Sequence, residues 1–443
     1  MRKGIKQFLN SEAFIILMML YTFVNWIFDI DYHITLVIAT LLIGIITFTC
    51  TDSKALLPVI FSLVFCDIFN FNRNVHNVSG ILEKVDFKFV IALGIINILF
   101  LLYFYIRQKQ MIVKHSLIGL TLVGLTISFF LTDIFVKPAY NFVLIGLLTI
   151  VFYFFRQTTN YLSFKSDVLP YFSKTIFFVG ILISFQLVAD YAINYDFSGT
   201  SSFYPALGWG VSNNASLILL LIIPIAAYCL FLEQRAIYLV GILIMLCGNI
   251  ITLSRGGVLV MPVLITGLII NNYRKYSNRK QFICGLFIVL SFFAILGILF
   301  SSEISRILSL LIEDGVSDSG RFELWKKAWE QFINSPLLGG GTVLFPVNGV
   351  IWQGWFHSTF FDIIGQLGIV GLIAFITHFT IKYLQVLRDR SVYKWFVLVG
   401  FISSGLYALI DVAYFNFNFL LVYVIILATV EYSSGYITYN HND

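Results

Sequence analysis

The chain has 443 residues, of which 59% are hydrophobic and 12% charged, with a mean hydropathy of +0.90. Soluble domains carry about 25% charged residues, so a soluble globular fold is excluded. The formal net charge of +5 sits in short gaps between apolar runs, which reads as membrane topology and not as a nucleic-acid surface.

Apolar runs of about 20 residues, each able to cross a bilayer, recur from end to end. Helices are predicted near 12–30, 32–50, 54–71, 88–106, 115–135, 140–155, 172–194, 214–232, 236–253, 256–272, 281–300, 357–386, 391–411 and 414–430. That makes about fourteen spans, or twelve to thirteen if the short run at 140–155 does not cross and 250–260 is re-entrant. The runs are apolar all round and do not alternate, so a β-barrel does not fit. The expected fold class is therefore all-α, a polytopic membrane protein of about 12–14 transmembrane helices with a large extracytoplasmic loop carrying short helices. The basic residues before the first run resemble a signal peptide, but the run is long and no small-x-small cleavage site follows, so it is expected to stay as the first span.

Lys and Arg set the orientation. With Arg2, Lys3 and Lys6 inside, 19 of the 28 basic residues fall on the inner side and 9 on the outer. This places both ends of the chain inside and the long polar stretch at 301–356 outside. Cys50, Cys66, Cys229, Cys247 and Cys284 lie in or beside apolar helices and form no CxxC pair, so neither a disulfide nor a cysteine metal site is expected. The outer stretch 195–213 has no basic residue and many aromatics. It reads as a loop that packs on the membrane or binds sugar.

Three polar residues meet the outer face at apolar boundaries. Arg255 stands in TLSRGG between two apolar helices, Arg321 in SGRFELW, and His357 opens a helix in WFHSTFFDIIGQLG. A charged side chain at such depth is costly and marks a functional site; the competing reading of Arg255 is an arginine that snorkels to lipid phosphate or pairs with a carboxylate. Arg321 begins an amphipathic helix whose Phe322, Trp325, Trp329 and Phe332 share one face, expected on the membrane or on the spans. Pro336 ends that helix. Gly339-Gly340-Gly341 lacks the GK[ST] of a phosphate-binding loop and reads as a hinge. Histidine's ordinary pKa of about 6.5 suits a general base, and His357 is the histidine of the large outer loop, whereas His378 lies deep in the following span and reads as structural.

The run from Ser254-Arg255-Gly256, through Gly320-Arg321 and Trp325, to Gly339-Gly340-Gly341 and His357-Ser358 with Gly368 and Gly371 resembles the O-antigen ligase-like family. Asn213-Asn214-Ala215, before an apolar helix, is similar too. That family contains O-antigen ligases, polysaccharide polymerases and related teichuronic-acid and capsule enzymes. The resemblance covers about residues 205–385 and divides the chain into N-terminal transmembrane helices at 1–200 and a ligase-like region at 201–443 that contains the extracytoplasmic catalytic loop 301–356. It implies an inverting glycosyltransferase of the plasma membrane, active at the outer face, that takes sugar from a polyprenyl-diphosphate-linked oligosaccharide with no cofactor and no metal. By matching positions His357 would be the general base, and Arg255 and Arg321 would hold the diphosphate. Trp325, Asn213 and Gln366 would be substrate-binding or structural. The chain departs from the family at Ser358, where Asn is common, and at Gln366, where Glu is common.

Such an enzyme works in cell-surface polysaccharide biosynthesis beside a flippase and a chain-length regulator. The Phe-, Ile- and Asn-rich composition suits a low-GC genome, and on that basis a polymerase of capsule, exopolysaccharide or wall glycan is favoured over a ligase. Trp352, Trp355, Phe356, Tyr204 and Trp209 would stack on sugars or form an interfacial aromatic belt. Two other classes stay open. A different membrane glycosyltransferase, using polyprenyl-monophosphate sugars, would use Asp29-Ile30-Asp31 in the first outer loop for metal or as a base. A transporter or flippase of a lipid-linked glycan or small anion needs buried charge or broken helices at the midplane, and most spans have none; Asp190 and Asp411, near outer helix ends, are the exceptions.

Overall fold

The computed structural model describes residues 2–66, 87–107, 116–136, 141–158, 167–194, 205, 207–273, 321–347 and 350–435, with isolated residues 287, 291, 294 and 298. The predicted span at 281–300, the first part of the outer loop and the stretch at 67–86 lie almost wholly outside these residues. The protein is a helical membrane bundle. Eight described helices are long and apolar enough to cross a bilayer, and a bent pair makes a ninth.

The bent pair is α1 (Arg2–Leu9) and α2 (Glu12–Phe28), turned by 61° at a break of two residues. Ser11 caps α2 by accepting the Phe14 N–H, and capping is what stops one helix and starts the next. There follow α3 (Tyr32–Thr49), α4 (Leu56–Phe65), α5 (Phe87–Arg107), α6 (Leu117–Phe135), α7 (Asn141–Thr158) and α8 (Leu169–Asn194). The run expected to be short near 140–155 is a full 18-residue helix. Asp31 of the DxD sequence is the N-cap of α3, accepting from the His33 backbone N–H and ring.

The centre of the bundle is α9 (Ser212–Glu233), 89% of whose spanning window is enclosed by protein. Leu217 to Ile223 are all fully buried, so the helix is apolar on every side because every side meets another helix. It packs against α8, α10 (Ala236–Ile251), α11 (Arg255–Tyr273), α14 (Tyr393–Ala408) and α15 (Phe417–Gly435). The stretch at 250–260, where one helix is expected to end near 253 and the next to begin near 256 unless it is re-entrant, is a sharp break: Leu253 is left-handed at φ 54°, and α11 starts at Arg255.

The described part of the outer loop contains α12 (Arg321–Asn334), as its periodicity predicts, and then an antiparallel hairpin, β1 (Val343–Val347) and β2 (Val350–Gly354), paired from Val343↔Gly354 to Val347↔Val350. The loop thus carries the expected short helix and, in addition, a hairpin. Asn348-Gly349 between two β-prone runs is a strong hairpin signal that helical periodicity overlooks.

The long α13 (Thr359–Arg388) is broken at Gly368, where φ is 63° and ψ −154°. The Pro336–Gly341 turn fills the break. Gly340 N–H donates to Gly365 O at 2.8 Å and Gly341 N–H to Gln366 O at 3.1 Å, while Ile369 and Val370 N–H donate back to Pro336 O and Leu337 O. Gln331 Nε2 adds bonds to Gly341 O and Gly365 O. A broken membrane helix must have its freed backbone groups satisfied by protein, and here the glycine triplet does this. A Cβ at Gly339 would fall 2.4 Å from the Gln366 carbonyl carbon, so the two backbones meet at a distance only glycine permits. The triplet is a fitted backbone joint and not a free hinge.

Further along α13, His378 is buried between Thr121 and Tyr423, with a bond of 2.8 Å to each hydroxyl, in keeping with a structural role. Lys382, also buried, has its ammonium 4.4 Å to 5.8 Å from the ring centroids of Phe379, Tyr383, Phe401, Tyr414 and Tyr423.

Candidate active site

The starts of α9, α11, α12 and α13 and the end of α14 converge at one end of the bundle. The point of convergence is Asp411, which follows α14 and is 6% exposed. Its Oδ1 lies 3.3 Å from His357 Nδ1 and accepts the Val412 N–H at 2.7 Å. Its Oδ2 accepts from Asn213 Nδ2 at 2.6 Å and from the Tyr407 hydroxyl at 3.5 Å, and lies 3.9 Å from Arg321 Nη2. The Arg321 guanidinium also donates through Nη1 to Ile410 O at 2.9 Å. His357, Arg321 and Asn213 are thus gathered on one carboxylate.

The residues on either side of Arg255 pack near the same place. Ser254 Oγ is 2.9 Å from the Tyr407 hydroxyl, and a Cβ at Gly256 would meet Ile410 at 2.7 Å and the Tyr407 ring at 2.9 Å. The first turn of α11 therefore lies against the Tyr407–Asp411 segment that receives Arg321.

His357 is held in an unusual backbone. Its φ is 50°, in the left-handed region, which costs a residue with a Cβ about 1–2 kcal/mol. Such strain persists only where the surroundings over-determine it. Phe356 N–H donates to Asp362 Oδ1 at 2.9 Å on one side of His357, and Thr359 N–H donates to Asp411 O at 3.2 Å on the other. The ring is 44% exposed. An Nδ1–H that donates to Asp411 would leave Nε2 as an acceptor, the tautomer a general base requires.

Trp325 stacks on Phe361 of α13 with centroids 5.1 Å apart, and its Nε1 is buried without a hydrogen-bond partner. Gln366 is buried and donates to Asp362 Oδ1. The apolar face expected along α12 is divided: Trp325 packs on the spans, whereas Phe322 and Trp329 are 65% and 50% exposed. Of the aromatics considered for sugar stacking, Phe356 and Trp209 are buried instead. Trp209 donates to Gln186 Oε1 at 3.0 Å and anchors its loop in the bundle. Trp355 packs near Phe415, and Tyr204 and the Trp352 side chain lie outside the described residues.

Asp411 is the residue that the motif reading does not assign. Its signal is a lone carboxylate at the end of an apolar helix, which intramembrane cost alone marks as functional. Among the described residues no group of three or more His, Cys, Asp and Glu is placed to hold a metal ion.

No curated protein matches the chain. Residues 240–376 match the family model described as O-antigen ligase. That stretch contains Arg255, Arg321, Trp325, His357 and Gln366, while Asn213 and Asp411 lie outside it. The match supports a membrane glycosyltransferase of the O-antigen ligase or polymerase type, acting on lipid-linked oligosaccharide in polysaccharide biosynthesis. Within a multi-span helical bundle, residues 240–376 are therefore similar to the O-antigen ligase family.

Proposed function

We propose that the protein polymerises polyprenyl-diphosphate-linked oligosaccharide at the outer face of the plasma membrane, by an inverting and metal-independent transfer. The observation that carries this reading is the shared carboxylate, with Asp411 holding both His357 and Arg321. The acceptor hydroxyl oxygen attacks the anomeric carbon, and a new glycosidic C–O bond forms. Its proton passes to His357 Nε2. The bond from the anomeric carbon to the diphosphate oxygen breaks, and the electron pair leaves with the diphosphate. Attack opposite the leaving group inverts the anomeric centre.

Arg321 and Arg255 bind the diphosphate and take up its developing charge. A guanidinium offers five N–H donors in a fork that matches phosphate. Arg321 commits Nη1 to Ile410 O and faces Asp411 with Nη2, and its side chain is 31% exposed, so N–H donors of the fork remain for a ligand. Asp411 is a positioning residue: it fixes the tautomer of His357 and the reach of Arg321. Preorganised charges of this kind supply the largest part of many rate enhancements.

The test is transfer by the purified protein in lipid from a polyprenyl-diphosphate oligosaccharide, with and without a chelator. A ladder of longer lipid-linked glycans that survives chelation and is lost in His357→Ala is the expected result. Transfer only after a second acceptor is added would identify a ligase. Movement of the lipid-linked glycan across the bilayer without chemical transfer would overturn the enzyme reading.

A further inference from the structure

Asp362 and Gln366 sit on consecutive turns of α13, 0% and 1% exposed, behind His357. Asp362 Oδ1 accepts two hydrogen bonds, from Phe356 N–H at 2.9 Å and from Gln366 Nε2 at 2.8 Å. Phe356 immediately precedes His357, and its ring is itself buried, so close to Gly365 that a Cβ there would lie 2.8 Å away. The Asp362 N–H donates in turn to Ser358 O at 2.8 Å. Asp362 therefore holds the chain on both sides of His357, through its side chain at Phe356 and its backbone at Ser358.

Two oxygens of this pair, Asp362 Oδ2 and Gln366 Oε1, are buried without a partner. Both are acceptors, so the pair is short of one hydrogen. A buried acceptor left unpaired is costly, and a carboxyl group facing a carboxamide satisfies both by a two-point pair: amide N–H to acid oxygen, acid O–H to amide oxygen.

We propose that Asp362 and Gln366 form this two-point pair and that it is the positioning device for the proposed catalytic base, keeping His357 left-handed so that its ring reaches Asp411. The proposal rests on the assignment of His357 as the base. Asp362 acts through the Phe356 N–H and touches no substrate. Its loss lets residue 357 relax to an ordinary backbone and swings the imidazole away from the reacting atoms.

The experiment measures kcat and KM for the lipid-linked donor in Asp362→Ala, Asp362→Asn, Gln366→Leu and His357→Ala proteins, each with its thermal unfolding midpoint. Misplacement of a catalytic group by about 1 Å costs about 100-fold, so Asp362→Ala is expected to lower kcat by about 10- to 100-fold with KM within about threefold. Asp362→Asn keeps the acceptor for Phe356 and supplies the missing hydrogen to Gln366; it is expected to restore kcat to within about threefold of wild type. Gln366→Leu keeps the volume and removes both amide partners, and is expected to lower kcat by about tenfold; it carries the test if Asp362→Ala does not fold. Folded Asp362→Ala and Gln366→Leu proteins with wild-type kcat would overturn the proposal. An Asp362→Asn protein as impaired as Asp362→Ala would overturn the two-point pair, because the carboxylate charge would then be what matters. If His357→Ala itself transfers at the wild-type rate, the assignment of the base fails, and with it the premise. An inactive His357→Ala beside active Asp362 variants removes the positioning pair alone.

Discussion

His357 and Asp411 are 54 residues apart in sequence and meet at 3.3 Å, Nδ1 to Oδ1, at the end of the bundle where four helices start. The same carboxylate faces Arg321 and accepts from Asn213 and Tyr407. One buried acid thus ties the imidazole to a guanidinium and to the central helix.

Replacing that acid tests the arrangement. Asp411→Asn keeps the volume and an acceptor for the Val412 N–H but removes the negative charge that would stabilise the imidazolium formed when His357 takes a proton. A general base contributes typically about 10²–10⁴-fold, so kcat is expected to fall by at least about 100-fold. KM for the donor should rise as well, because Arg321 loses its counter-charge. A kcat within threefold of wild type in steady-state transfer assays would remove Asp411 from the mechanism.

The backbone joint between the Pro336–Gly341 turn and broken α13 predicts an order of sensitivity among glycines. Gly339→Ala and Gly368→Ala place a Cβ 2.4 Å and 2.5 Å from backbone atoms, at φ of 70° and 63°. Backbone cannot move aside, and each is expected to cost more than the 1–2 kcal/mol or so of the left-handed conformation alone. Gly340→Ala meets the Gln331 side chain, which can rotate, so its cost should be smaller. Thermal unfolding in detergent reads the difference, and equal midpoints for the three variants would show that the joint is loose.

Lys382 is held by five aromatic rings and donates to Tyr414 Oη at 3.4 Å; no carboxylate pairs with it among the described residues. Cation–π contacts are worth about 2 kcal/mol or more when desolvated, but burying the ammonium costs several. Lys382→Met fills the same space without the charge and is expected to leave stability within about 1 kcal/mol or raise it. Lys382→Glu presents the rings with a carboxylate and should prevent folding. A large loss of stability in Lys382→Met would mean that the cation itself organises the cage.

Phe322, Trp329 and Ile333 form an exposed apolar stripe on α12. In a membrane protein such a stripe belongs at the lipid interface. Brominated lipid should quench a part of the tryptophan fluorescence that disappears in Trp329→Phe, whereas Trp26, fully buried, is expected to be shielded from the lipid. Equal quenching of wild type and Trp329→Phe would place the stripe in water or against another protein.

The spans are legible in the sequence because hydropathy registers them directly, and α12 because its aromatics recur at helical spacing. What escapes is decided between segments. Gly368 looks like one more tolerated glycine in an apolar run, yet it breaks α13, since the atoms that heal the break come from residues 336–341. Trp209 reads as a sugar-stacking aromatic until Gln186 is found beneath it. Arg255, Arg321 and His357 stand out as polar groups at apolar boundaries. Asp411 stands out no less, but nothing in local spacing says that a carboxylate after α14 faces a histidine before α13.

Asp411 also fixes when the site comes into being. Ribosomes deliver a chain in order, so His357 and Arg321 reach the membrane before their common partner has been translated. Until the segment bearing Asp411 is inserted, the imidazole has no anchor and the guanidinium no counter-charge. If the proposed roles of His357, Arg321 and Asp411 hold, a half-made protein meets lipid-linked sugar before it can act on it, and reactivity arrives together with completed assembly.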